Sequence, residues 1–198
     1  PDKPGILIEK YDEKANKWSF GSNFNPVRSR PEVVLLPGKN ILVMAGYKED
    51  PTDTSSINQW CMMNITDIYN PYTEEWRRLS PMNYHREYHA LAIMVPDGRI
   101  IMAGGEGAPG NEPIFSIIEA YKPPYLFRGV RPEIVNFSEK VFQRGGKIQF
   151  DVIKTDSVTK VILMSTPSVT HMMNTGNNRY AELSFQQSGK IERESCRE

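Results

Sequence analysis

The sequence predicts an all-β chain: part of a β-propeller over residues 1–125, then a truncated β-sandwich over residues 126–198. Three observations predict it. Two stretches repeat one order of aromatic, arginine and glycine positions. Each repeat holds a hairpin of short apolar runs around a Pro/Gly turn. Beyond Pro132 no run keeps a 3.6-residue hydrophobic period over three turns.

The repeat is specific. Its first copy runs from Tyr11 to Trp18, through Arg28, to the apolar run Val33–Leu36, the turn Pro37–Gly38 and a second run, Ile41–Ala45, before Gly46. Its second copy runs from Tyr69 to Trp76, through Arg86, to Leu91–Val95, the turn Pro96–Asp97–Gly98 and Ile100–Ala103, before Gly104 and Gly105. Tyr11/Tyr69, Trp18/Trp76, Arg28/Arg86 and Gly46/Gly104 share an offset of 58. After the first hairpin come a strand ending at Tyr69, a polar turn and a strand around Trp76. Four short strands per unit, with a period near ~50, glycines after the second strand and a later Tyr and Trp, form the kelch signature. The extra length falls in a polar loop, Lys48–Gln59. The competing reading is a sandwich or barrel with a chance duplication. Trp18, Trp76, Tyr11 and Tyr69 are read as packing residues, because the repeat itself requires them. Gly104, Gly105 and Gly129 are read as structural, since the spacing of a nucleotide loop is absent.

A propeller closes only with several blades. Residues 6–20 read as outer strands of one blade, 32–78 as the next, and 89–121 as the start of a third. The upstream blades are expected outside this chain. Pro123–Pro124 and Arg131–Pro132 bracket a tight linker. Beyond it, Glu133–Asn136, Lys147–Ile153, Val158–Met164 and Ala181–Phe185 read as strands of the second module.

Composition excludes several functions. Lys plus Arg and Asp plus Glu both number 24, for a net charge of zero, and no basic run offers a phosphate-binding surface. No stretch approaches the length of apolar chain that spans a bilayer. Gly (14) and Pro (15) are frequent enough to demand many turns. Cys61 and Cys196 make neither a zinc motif nor a disulfide-dense scaffold, and whether they pair is left open. The chain opens Pro-Asp-Lys-Pro without a Met, so the missing leader says nothing of compartment. Asn64-Ile-Thr66 and Asn136-Phe-Ser138 permit glycosylation.

Three histidines carry what chemistry there is: His85, His89 and His171. Tyr88 and His89 stand where the earlier repeat has Arg30 and Pro31, so folding of the repeat does not require them. His171 precedes a glycine-containing turn, where sites concentrate. Two imidazoles and a phenol oxygen make a mixed N/O donor set compatible with Cu(II). Neighbouring strand residues point to opposite faces, so Tyr88 and His89 reach one metal only where the backbone leaves the sheet. The plainer alternative is a buried Tyr, a surface His and a third unrelated His. His85 reads as a solvated loop residue, and Glu106 as an unlikely channel residue.

With Tyr88-His-Ala-Leu-Ala-Ile-Met-Val-Pro-Asp-Gly-Arg-Ile-Ile-Met-Ala-Gly-Gly105, Pro123-Pro-Tyr-Leu-Phe127, Arg131-Pro132, and Thr170-His-Met-Met-Asn174 with Arg179, the chain resembles the galactose oxidase and glyoxal oxidase family of copper radical oxidases. The resemblance implies a kelch-type propeller followed by an immunoglobulin-like domain, of which this chain is the C-terminal portion. It implies copper held by Tyr88, His89 and His171, with Tyr88 also accepting the substrate's hydroxyl proton. It implies oxidation of a primary alcohol or aldehyde, with dioxygen reduced to hydrogen peroxide. The tyrosyl–cysteine radical cofactor of such enzymes is expected upstream. Cys61 and Cys196 do not match its cysteine, and Tyr47, Tyr84 and Tyr180 are not assigned the radical. Asn178–Arg179 departs from the family's usual pattern, and Met172 and Met173 are read as packing. Expected partners are the missing N-terminal blades and a carbohydrate or small alcohol or aldehyde, in an extracellular or cell-surface setting. A catalytically inactive relative with a structural or glycan-binding role is the alternative. An unrelated kelch protein binding other proteins is disfavoured by Tyr88, His89 and His171 together. The fragment alone is expected to be inactive.

Overall fold

The computed structural model describes residues 8–22, 28–49, 60–86, 88–105, 116–138, 143, 145–155, 157–165 and 180–188. Among them there is no α-helix, and no helix long and apolar enough to cross a membrane. The described residues up to Lys122, together with Ser165, form one compact unit; those of Pro123–Met164 and from Tyr180 onward form another.

In the first unit, β1 (Glu9–Asp12) and β2 (Lys17–Phe20) pair as a hairpin. The expected four-stranded unit follows: β3 (Glu32–Leu35), β4 (Ile41–Met44), β7 (Thr66–Asn70) and β8 (Glu75–Arg78), antiparallel in that spatial order. β9 (Ala90–Met94), β10 (Ile100–Gly104) and β11 (Glu119–Tyr121) repeat its first three strands. The turns match as well. Leu36 N–H donates to Asn40 O at 2.9 Å, and Val95 N–H to Arg99 O at 2.9 Å. Val34, Leu42 and Met44 of one sheet and Ile100 and Met102 of the other are all 0% exposed, which makes them the core. Period-2 alternation does not predict that run in β4; a strand covered on both faces does.

The expected loop Lys48–Gln59 begins in strand, and the residues that flank it pair. Tyr47–Glu49 forms β5 and Trp60–Met62 forms β6, paired Tyr47↔Met62 through Glu49↔Trp60. The Tyr/Trp positions are cross-strand partners in both repeats. Tyr11↔Trp18 ring centroids lie 5.1 Å apart, and Tyr69↔Trp76 centroids 4.7 Å apart. Trp18 nonetheless remains 63% exposed, so its packing is confined to one face against Tyr11.

A buried arginine clamps each repeat. Arg28 donates from Nη2 to Val43 O (3.1 Å) and Asp67 Oδ2 (3.0 Å), and from Nη1 to Ile65 O (3.5 Å). Arg86 donates from Nη1 to Gly104 O (2.5 Å), from Nη2 to Ile117 O (2.8 Å) and from Nε to Glu119 Oε2 (3.3 Å). In both, the acid lies two residues beyond one of the bonded carbonyls. Burial opposes Arg28's charge, and Asp67 holds it. Such a guanidinium persists because carbonyls and a carboxylate meet its buried charge.

In the second unit a 3₁₀ turn over Pro124–Phe127 follows Pro123, as the linker signals imply. β12 (Glu133–Val135) pairs with β13 (Asp151–Ile153), and β14 (Val161–Met164) with β15 (Tyr180–Leu183). These strands are short and part-exposed. Of the two glycosylation sequences, Asn64 is half-buried with Nδ2 donating to Met82 O at 2.9 Å. Asn136 is exposed and bonds Asp151 Oδ2 at 2.8 Å.

Two stability predictions follow from the first unit. In the full-length protein, Arg86→Met strands Glu119 and two carbonyls, and should cost about 3–5 kcal/mol in urea unfolding; less than ~1 kcal/mol would contradict the clamp. Burial pushes the Glu32 carboxyl from its ordinary 4.5 up to about 7, only partly opposed by the Ala92 N–H that bonds it. Between those values the folded chain holds a proton that the unfolded chain has released, so stability falls as pH rises through that window. Glu32→Gln should flatten the dependence and add about 2 kcal/mol above pH ~7, after allowance for partial exposure. An unchanged pH profile of unfolding in the variant would contradict this.

Candidate metal centre

The chain reaches the candidate centre through a backbone reversal just before β9. His89 has φ of 60°. That left-handed conformation is uncommon for a residue with a Cβ. It takes Tyr88 and His89 out of the strand alternation, so their side chains lie together rather than on opposite faces. The two ring centroids are 3.8 Å apart with an interplanar angle of 30°. Tyr88 is half-buried and His89 exposed.

The reversal is tied down by backbone and glycine. His89 O accepts from Gly105 N–H at 3.1 Å. Gly104, at φ +64°, lies so close that a Cβ there would sit 2.9 Å from His89 O. The Arg86 clamp bonds the carbonyl of that same Gly104. The Gly104–Gly105 peptide is therefore held on both sides, its oxygen by Arg86 and its N–H by His89 O.

A second approach comes from the preceding repeat. Ser29 and Tyr47 exchange backbone hydrogen bonds at 2.8 and 3.0 Å, and Gly46 N–H donates to Arg86 O at 3.0 Å. Gly46 is obligatory: at φ +94°, a Cβ would meet Ser29 O at 2.7 Å. These contacts bring Arg30 to Tyr88. Its guanidinium carbon is 4.4 Å from the Tyr88 ring centroid and 5.2 Å from that of Tyr47. Both distances are within cation–π range. Sequence reading had Arg30 only as the counterpart of Tyr88. The 58-residue offset carried the signal, because equivalent positions of neighbouring repeats converge.

The donor set fits a transition metal as far as it is described. A phenol ring and an imidazole ring are stacked here, and their oxygen and nitrogen donors both suit Cu(II). Among the described residues no three His, Cys, Asp or Glu side chains gather into a metal-binding group, so the pair needs a further ligand. His171, the expected third ligand, lies outside the described residues, as do Glu106, Arg179 and Cys196. His85 is exposed.

The chain is similar to several known oxidases. A family model, the galactose oxidase-like early set domain, matches residues 131–197. An aldehyde oxidase of Arabidopsis thaliana is 28% identical over 158 residues, covering 72% of this chain and 26% of that protein. A galactose oxidase of Gibberella zeae is 29% identical over 153 residues, covering 74% of this chain and 21% of that protein. The chain thus spans about a quarter of the length of these curated relatives. A solved fungal alcohol oxidase of the AA5 family, in complex with copper, superposes with a TM-score of 0.70 at 22% identity, over 88% of this chain and 36% of that one. Its likeness establishes the fold. Residues 131–197 therefore match a galactose oxidase-like early set domain, and the chain is similar to galactose and aldehyde oxidases over about a quarter of their length.

Proposed function

We propose that this chain is the C-terminal portion of a copper radical oxidase that converts a primary alcohol or aldehyde while reducing dioxygen to hydrogen peroxide. The observation that carries the reading is the left-handed turn at His89, which sets a phenol and an imidazole side by side. Folding of the repeat explains neither residue, since the preceding repeat has Arg30 and Pro31 there.

Tyr88, His89 and His171 are the proposed copper ligands. Copper, acting with a cysteine-linked tyrosine upstream of this chain, would supply the two-electron redox capacity that alcohol oxidation requires. This chain's own residues bind and orient. His89 presents an imidazole nitrogen fixed by its backbone turn. Tyr88 Oη takes the hydroxyl proton of the bound substrate. The Arg86 clamp and Gly104 hold both rings in register. The two curated relatives and the solved oxidase support oxidase chemistry, and their greater length accommodates the upstream blades and radical. The four-stranded sheet and its partial repeat serve, in this reading, as blades of a kelch-type propeller. The setting is extracellular, with exposed Asn136 the better placed of the two glycan acceptors.

Copper content and electron paramagnetic resonance of the full-length protein test the proposal. The expected result is about one Cu(II) per chain, lost in both His89→Ala and His171→Ala along with peroxide production. Full copper occupancy in both variants would overturn the ligand assignment.

A further inference from the structure

We infer that Arg30 is a specificity-determining residue of the Tyr88–His89 site and selects substrates that carry a carboxylate beside the reacting alcohol or aldehyde carbon. As a statement about substrates it rests on the oxidase reading; as an anion contact it rests on geometry alone.

Arg30 stands at φ 50°, a backbone conformation that favours glycine or asparagine, yet it carries one of the longest side chains. No core position is filled in return, because Arg30 is exposed. What the residue does instead is lie over two aromatic rings, 4.4 Å from the Tyr88 centroid and 5.2 Å from that of Tyr47, which is 5% exposed. The buried Tyr47 is held by its backbone exchange with Ser29, the residue before Arg30. The guanidinium is thus anchored on a rigid aromatic base, with a proposed metal ligand as its other support.

That arrangement has a chemical meaning. A guanidinium held against aromatic rings keeps its permanent charge, and its N–H donors form a planar fork that matches a carboxylate. A permanent positive charge beside Tyr88 therefore meets a substrate group on the carbon next to the one that reacts. A neutral alcohol gains nothing from this charge. A hydroxy acid or an oxo acid gains a charge-assisted pair.

The test uses the full-length protein with Arg30→Gln and Arg30→Lys, comparing glyoxylate with the uncharged glycolaldehyde. Calorimetric binding of propionate, a carboxylate with nothing to oxidise, accompanies the kinetics, with melting temperature as the folding control. In Arg30→Gln, KM for glyoxylate and Kd for propionate should each rise roughly tenfold, and KM for glycolaldehyde by less than about twofold. Arg30→Lys should recover part of the propionate binding, since it keeps the charge and loses the fork. Equal changes for both aldehydes would overturn the inference and make Arg30 a support for the Tyr88 ring. Propionate binding that is absent from the unsubstituted protein, or unchanged by Arg30→Gln, would overturn it too. Arg30-dependent propionate binding without oxidation of either aldehyde would contradict the oxidase reading and sustain the anion contact. Oxidation of both without charge discrimination would do the reverse.

Discussion

The first unit depends on a buried guanidinium. Arg86 is 0% exposed and reaches Gly104 O, Ile117 O and Glu119, three points on two different segments. Its own carbonyl accepts from Gly46 in the preceding repeat. One residue thereby joins the end of one sheet, the glycine turn of the next and the segment that leads to Tyr88. Arg28 does the same one repeat earlier, with Asp67 in the role of Glu119. An arginine taken out of water is costly unless every donor is answered. The acceptors it demands are carbonyls at fixed places, which makes the clamp a device for registering strands as much as a source of stability.

The candidate centre is a local consequence of that registration. Two neighbouring residues in an extended strand cannot serve one ligand. The left-handed turn at His89 removes this obstacle, and Gly104 leaves the space that it needs. Backbone strain of this kind persists where the surroundings over-determine it. Here the surroundings are the Gly105 N–H on His89 O and the Arg86 bond to Gly104. Function and folding therefore share atoms: the glycines that end the strand repeat are those that admit the turn.

Much of this was legible from residues alone. The hairpins around Pro37–Gly38 and Pro96–Gly98, the Tyr/Trp pairs and the linker at Pro123 announce themselves by turn chemistry and by recurrence at 58. The condition on Tyr88 and His89 was legible too, as a requirement for bent backbone. Its fulfilment was not, since histidine carries no propensity that demands positive φ. β5 and β6 escaped notice because each is three residues long, too short to show an alternation. Arg30 escaped because its partner is 58 residues away, and an exposed arginine looks like any solvated charge. The short strands beyond Pro132 carry too few apolar positions to fix their ends, which is why the expected Lys147–Ile153 run shrinks to Asp151–Ile153.

The most direct test of the account is a crystal structure of the full-length protein grown with Cu(II), with anomalous diffraction recorded on both sides of the copper absorption edge. The account predicts a single copper peak within bonding distance of Tyr88 Oη and an imidazole nitrogen of each of His89 and His171, with the left-handed turn at His89 retained. A copper peak at other residues, or a Tyr88 and His89 that diverge onto opposite faces of β9, would contradict it.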